Sequence, residues 1–299
     1  MVLRLRAAVE QAWRGRTETV DLVLAAVLAG GHVLLQDVPG VGKTTLAAAL
    51  ARATGGSFHR IQLTADLLPG DLTGVPVLGP GGQEPVFRPG PLFAHVVLAD
   101  ELNRATPRTQ AALLEAMAEG SVSVDGVTHR LPRPFLVLAT QNPYDVHGTY
   151  PLPDSQLDRF LLRLSLGYPS REDEQAILHQ PHGRAALPDA IATPEEILAA
   201  GEAVEQVRVE ASVEAHLLDL VWATRRDARL LRGVSPRGAQ ALHRAARARA
   251  LVAGREFVVP DDVRRLAVPV LAHRVVPRGA AEDAEAVIAA LVRELAPPT

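Results

Sequence analysis

Residues 32–50 read HVLLQDVPGVGKTTLAAAL, and the fold follows from how this stretch is read. It runs from an apolar strand through a glycine-punctuated turn into an Ala- and Leu-rich helix. The turn nearly matches G-x-x-x-x-G-K-[ST], the phosphate-cradling loop, but Asp37 stands where the pattern asks for its first glycine. A phosphate chain is held by a concave row of backbone N–H groups, so the floor of the loop must be free of side chains. Gly40 and Gly42 meet that need, with Pro39, Val41 and Thr45 completing the expected cradle. Lys43 is expected at the β- and γ-phosphates. Thr44 offers its hydroxyl to Mg²⁺, and the helix at 46–50 directs its N-terminal dipole at the anion. Asp enters left-handed backbone geometry at small cost, so Asp37 is expected to preserve the turn in that conformation.

Working outward, short apolar runs alternate with helical patterns through the first half of the chain: HVLLQ, FHRIQL, HVVLAD, FLVLAT and FLLRLSL. That alternation predicts a parallel sheet between helices. After GYPS at 167–170 strand signals stop and Ala, Leu and Arg at helical spacing take over. The expected organisation is an α/β nucleotide-binding domain over 1–168 and an all-helical domain over 169–299. Thr193-Pro194-Glu195-Glu196 reads as a helix start and APPT as a frayed end. Two turn-rich segments break the alternation: GDLTGVPVLGPGGQEPVFRPGPL, with a short strand on either side of GPGG, and SVSVDGVTHRLP, a hairpin around Asp125-Gly126.

The 299 residues carry 31 Lys plus Arg against 34 Asp plus Glu, a formal net charge of -3, so no global field collects nucleic acid or anionic membrane. Cysteine is absent, which excludes disulfides and thiolate metal sites. The N-terminal MVLRLRAAVEQAWRGR interleaves Arg with apolar residues and reads as no secretory signal; the apolar stretch 22–35 is broken by Gly30, Gly31 and His32, too short for a membrane span. These features predict a cytoplasmic protein without membrane insertion.

For chemistry beyond binding, HVVLADELNRA ends a strand with Asp100 and Glu101 at the sheet edge where the phosphate loop also lies. Asp100 is expected to hold Mg²⁺ through water opposite Thr44, and Glu101 to polarise an attacking water. FLVLATQN ends another strand with Asn142, which is either a positioner of water or γ-phosphate or a turn-former before Pro143. His95 and His147 lack the spacing of a metal cluster. The Arg-rich run 225–255 reads as a solvated helix face with Arg stems covering apolar surface, since aromatic residues that would stack on bases are scarce there.

Four stretches together, DVPGVGKTT, DELNRATPRTQAALLEAM, LATQNPYDVHGTYPLPDSQLDRFLLR and GVSPRGAQALHRAARARALVAGREFVVPDDV, resemble the MoxR family of AAA+ ATPases over nearly the whole chain. Asp at the first loop position is a familiar variant in that family. The resemblance implies ATP and Mg²⁺ as ligands and a hexameric ring of identical subunits. It also implies a client protein to be remodelled and a partner carrying a von Willebrand factor A domain. By the same resemblance the segment around 72–89 is the helix-2 insertion, SVSVDGVTHRLP the hairpin before the sensor strand, and Asn142 the first sensor. Arg159 in QLDRF matches the arginine finger that enters a neighbour's site, and Arg237 in SPRG matches the second sensor on the lid; Arg104 in ELNRA is placed near the subunit interface. Spacing alone favours reading Arg159 as an ion-pair partner of Asp158 and Arg237 as one more member of a basic face, so both site roles rest on the resemblance. Three other readings stand beside this one: a chelatase-type motor subunit, a DNA-dependent motor, and a nucleotide-gated binding module that barely hydrolyses.

Overall fold

The computed structural model describes residues 1–78, 85–142, 148–179, 186–279 and 283–296. The tip GPGG at 79–82, Pro143, His147, part of the 179–196 link and the last three residues of APPT lie outside them. Two helices, α1 (Val2–Ala12) and α2 (Thr17–Leu28), precede β1 (Val33–Gln36), which leads through the glycine turn into α3 (Lys43–Ala53). There follow β2 (Phe58–Gln62), α4 (Pro69–Thr73), the hairpin β3 (Gly74–Val77) and β4 (Val86–Pro89), and β5 (Val96–Asp100). Next come a 3-10 turn (Leu102–Arg104), α5 (Pro107–Glu119), a second hairpin of β6 (Ser121–Val124) and β7 (Val127–Arg130), β8 (Leu136–Gln141), α6 (Asp154–Leu157) and β9 (Leu162–Leu164). The remainder is α7 (Arg171–Leu178), α8 (Pro194–Val204), α9 (Ala211–Arg226), β10 (Leu230–Arg232), α10 (Pro236–Val252), α11 (Pro260–Leu271), β11 (Val276–Pro277) and α12 (Ala284–Glu294).

Each apolar run became a strand of one five-stranded sheet in the order β2-β5-β8-β1-β9, with all pairings parallel. The central strands are buried on both faces, as continuous apolar runs require. Because successive side chains alternate, Val33 and Leu35, Val96 and Leu98, and Leu136 and Leu138 join a core with α1, α2, α3 and the lid helices. Leu34, Val97, Ala99, Val137 and Ala139 face the opposite core, with α5 and Phe160. The first of these cores runs unbroken into α10 and α11, so sheet and lid share apolar packing.

Local signals explain the boundaries. Thr193 and Glu196 form a reciprocal capping box at the start of α8, with Pro194 at the first helical turn. Asp125 and Gly126 both take positive φ, 49° and 79°, the backbone a two-residue hairpin turn demands. Among the described residues the regular structure of the second half is helical apart from the short antiparallel pair of β10 and β11 and an isolated parallel bridge between Arg208 and Phe257; three- and two-residue strands are too brief to show a period of two. No helix among the described residues is long and apolar enough to cross a membrane.

Candidate active site

Since β1, β5 and β8 are adjacent and parallel, their C-terminal ends deliver the phosphate loop, Asp100 with Glu101, and Asn142 to one edge of the sheet. There a cavity of ≈ 310 Å³ is lined by Pro39, Gly40, Gly42, Lys43, Thr44, Asp100, Glu101 and Asn142, together with Asp37, Arg60, Gln62 and Thr140. Val41 is buried under the loop and Thr45 lies in the first turn of α3; neither lines the cavity. Gly40 and Gly42 both have φ of 88°, and Gly42 caps α3. A Cβ on Gly42 would also lie 2.9 Å from the Trp13 indole nitrogen, so this glycine is required on two counts.

The expectation for Asp37 is corrected. Its φ is not in the left-handed region: among the described residues only Glu101 and Asp125 carry positive φ without being glycine. Asp37 continues the β1 ladder, its N–H donating to Gln141, and the reversal is made by the two glycines that follow. Its carboxylate does separate work. Ser165 Oγ (2.9 Å), Leu166 N–H (2.6 Å) and Gly167 N–H (3.1 Å) all donate to it, tying the phosphate loop to the strand exit beyond β9.

Lys43 donates from Nζ to the Asp37 carbonyl at 3.0 Å. Burial lowers its pKa, against the opposing pull of Asp37, Asp100 and Glu101. Asp100 accepts from the Thr140 hydroxyl (3.1 Å) and from Arg60 Nε (2.7 Å), while Glu101 N–H donates to Thr140 Oγ1 (2.9 Å). Glu101 itself is left-handed, with φ 58° and ψ 50°. Such a backbone costs ~1–3 kcal/mol in a residue with a Cβ and persists where its surroundings over-determine it, here the Thr140 hydroxyl and the 3-10 turn that follows. The Glu101 carboxylate meets Arg104 at 2.8 Å.

The donor set fits a magnesium nucleotide. A hydroxyl and a carboxylate are the hard oxygen ligands Mg²⁺ accepts, an ammonium stands beside them, and the glycine floor is open, with nothing within 4 Å of where a Gly40 Cβ would sit. The buried Trp13 Nε1 beside Gly42 has no hydrogen-bond partner among the described residues.

Arg159 and Arg237 are not in this cavity. They line a second cleft of ≈ 300 Å³ with Asp158, Arg244, Arg274 and the Gly30-Gly31 turn. The lid holds the residues on either side of Arg159: Arg274 donates to Asp158 (2.7 Å) and to the Phe160 carbonyl (2.7 Å), and the His273 ring faces that same carbonyl at 3.0 Å. Asp158 is thus taken by Arg274, with Arg237 farther off at 3.8 Å, and Arg159 instead donates to the Leu114 carbonyl at 2.6 Å. His32, also on this cleft, is neutral: burial pushes its pKa down to about 4. Most of the Arg-rich run is spoken for, with Arg225 on the Val234 carbonyl, Arg229 on Asp227, Arg247 on Glu205, and Arg249 and Arg255 on the buried Asp262.

Sequence reasoning passed over Arg60, Gln62, Thr140 and Arg244. Arg60 and Gln62 alternate along β2, an edge strand whose polar positions read as a solvent face, so the signal pointed away from the site.

Sheet order, phosphate loop and helical lid are those of the AAA+ class. Residues 32–162 match the family described as "ATPase family associated with various cellular activities (AAA)", and residues 223–295 match the AAA lid domain. The chain is 48% identical to the uncharacterised protein YeaC of Bacillus subtilis, over 94% of this chain and 88% of the relative. It is 40% identical to the chaperone MoxR1 of Mycobacterium tuberculosis, over 88% of this chain and 72% of the relative. The crystal structure of a proposed ATPase from Cytophaga hutchinsonii superposes with a TM-score of 0.91 at 32% identity, covering 100% of this chain and 97% of that one. The chain belongs to the MoxR family of AAA+ ATPases.

Proposed function

We propose that this protein hydrolyses ATP, with Mg²⁺, in a hexameric ring and uses the turnover to remodel or mature a client protein, in company with a partner carrying a von Willebrand factor A domain. In this reading residues 1–168 are the motor domain, residues 169–299 its lid, and the cytoplasm its compartment. One observation carries it: the phosphate-loop cation, the two strand-end carboxylates and Asn142 converge on one cavity, whereas Arg159 and Arg237 open on another.

The glycine-lined N–H groups and Lys43 hold the β- and γ-phosphates. Thr44 and Asp100 hold the metal, which when bound neutralises charge developing on the phosphoryl oxygens. Glu101 leaves Arg104 to polarise the attacking water, and Asn142 positions it. Arg159 and Arg237 serve a neighbour's nucleotide. Exchange of a neutral carbonyl for a phosphoryl oxygen favours the move of Arg159, because hydrogen bonds between charged groups are the stronger kind.

Arg159→Ala should keep ATP affinity and lose hydrolysis by a factor on the order of 10³ or more. Mixing it with Lys43→Ala subunits should restore part of the activity, since an intact Lys43 site then receives an intact Arg159. Subunit exchange seen by fluorescence transfer without any recovery would remove the trans assignment.

A further inference from the structure

Arg244 stands seven residues after Arg237 on α10, two turns along, so both fall on one side of the helix. Both line the second cleft with Arg159. The Arg244 guanidinium lies close over the Gly30 backbone, where an added Cβ would sit 3.2 Å from Nη2. The other three guanidinium groups of the cleft have partners: Arg274 and Arg237 face Asp158, and Arg159 uses a carbonyl. Arg244 has neither a hydrogen bond nor an ion pair among the described residues. Among the described residues lining this cleft, four guanidinium groups therefore share one carboxylate, with Glu119, Glu202 and Glu205 in the adjoining cavity that Arg244 also lines, and His32 adds no charge near neutral pH.

A cleft so unbalanced is complementary to a compact polyanion. Among the described residues no Phe, Tyr or Trp lines it to offer the stacking platform that single-stranded nucleic acid uses. We propose that Arg244 is a third trans-acting cation, which with Arg159 and Arg237 meets the terminal phosphates of a nucleotide held in the phosphate loop of a second copy of this chain. The proposal rests on the trans reading of Arg159 given above. Arg244 is exposed and unpaired, so its side chain is free to reach across an interface at little cost to the fold of its own subunit.

The test uses the full chain. Arg244→Ala should melt within about 1 °C of the parent, because surface changes that remove no partner are nearly neutral. It should keep its affinity for a fluorescent ATP analogue and lose hydrolysis at least tenfold, with partial recovery in Arg244→Lys, which retains charge but not the planar fork. Light scattering gives a second readout: ADP with aluminium fluoride should stabilise the assembled parent against dilution and fail to do so for Arg244→Ala. Mixing then fixes the direction. Arg244→Ala with Lys43→Ala should recover hydrolysis, but Arg244→Ala with Arg159→Ala should not, since each neighbour would bring only one of the two cations. Recovery in that last mixture would place Arg244 in its own subunit's site and overturn the proposal, as would parental hydrolysis by Arg244→Ala. Loss of DNA binding in Arg244→Ala, with hydrolysis retained, would assign the cleft to nucleic acid and overturn it too. If Arg159→Ala with Lys43→Ala stays inactive while subunits exchange, the underlying trans reading has failed independently of Arg244.

Discussion

Replacing Asp37 by glycine would complete the G-x-x-x-x-G-K-T pattern, yet we expect it to weaken the protein. Asp37 is 6% exposed, and its carboxylate accepts three hydrogen bonds, from Ser165 Oγ, Leu166 N–H and Gly167 N–H. Leu166 is buried, so its N–H would lose its acceptor where water is scarce, whereas Ser165 and Gly167 lie partly in solvent and recover some of their loss. Hydrogen bonds to a charged group contribute ~1.5–3 kcal/mol each, and a buried donor left unmade costs ~1–3 kcal/mol. Counting Leu166 in full and the others in part gives roughly 3–5 kcal/mol, to which the unfolded-state freedom of glycine adds about 0.5–1 kcal/mol. At about 2–4 °C per kcal/mol for a chain of this size, the apparent Tm should fall by about 7–24 °C. Thermal unfolding followed by circular dichroism measures this. Nucleotide affinity should fall as well, because the anchor that steadies the loop beside Lys43 is gone. Asp37→Asn, which keeps one acceptor oxygen but turns an NH₂ toward donors, should lie between. A glycine variant as stable as the parent, or one that binds nucleotide more tightly, would refute the assignment of Asp37 as an anchor.

Acid should destabilise the fold through His32. Its Nδ1 accepts from Val137 N–H and its Nε2 faces the Met117 carbonyl, both at 3.0 Å, and burial holds its pKa at about 4 against the usual 6.5. The unfolded chain binds a proton that the folded one refuses, so stability is complete above pH 6.5 and declines as pH falls from 6.5 toward 4, by roughly 3 kcal/mol. Burial shifts His273 in the same direction, which adds to the slope. Melting curves between pH 7.5 and 5 should show a falling Tm; a flat or rising one contradicts the argument. Glu101→Gln should bind ATP as the parent does and hydrolyse it very slowly, since an amide keeps the shape but takes up no proton. Phosphate release near the parental rate would take Glu101 out of the catalytic role.

Elements whose signal is local were legible in the linear chain. The central strands are four to six residues long and open on three or four consecutive apolar residues, the spacing of Gly40, Gly42, Lys43 and Thr44 is a property of one loop, and the cap of α8 and the Asp125-Gly126 turn are written within four residues. Strand-end positions for Asp100 and Asn142 followed from the same runs. Asp37 marks where this stops. Its neighbours along the chain suggested a turn-former, whereas its partners lie 128–130 residues away.

The arginines differ in the same way. Arg159, Arg237 and Arg244 look alike in sequence, each a cation with carboxylates or further arginines nearby. What separates them is that Arg274 takes Asp158 and leaves Arg159 to the Leu114 carbonyl, and that α10 turns Arg237 and Arg244 into the same cleft. Hydrophobic period and turn chemistry act over a few residues, so sequence determined the sheet, the loop and the capped helices. A buried ion pair is settled by whichever charges the packed core brings within reach. Tertiary structure alone therefore decided what Asp37 anchors, which cavity each arginine faces, and that Arg244 has no hydrogen-bond or ion-pair partner among the described residues.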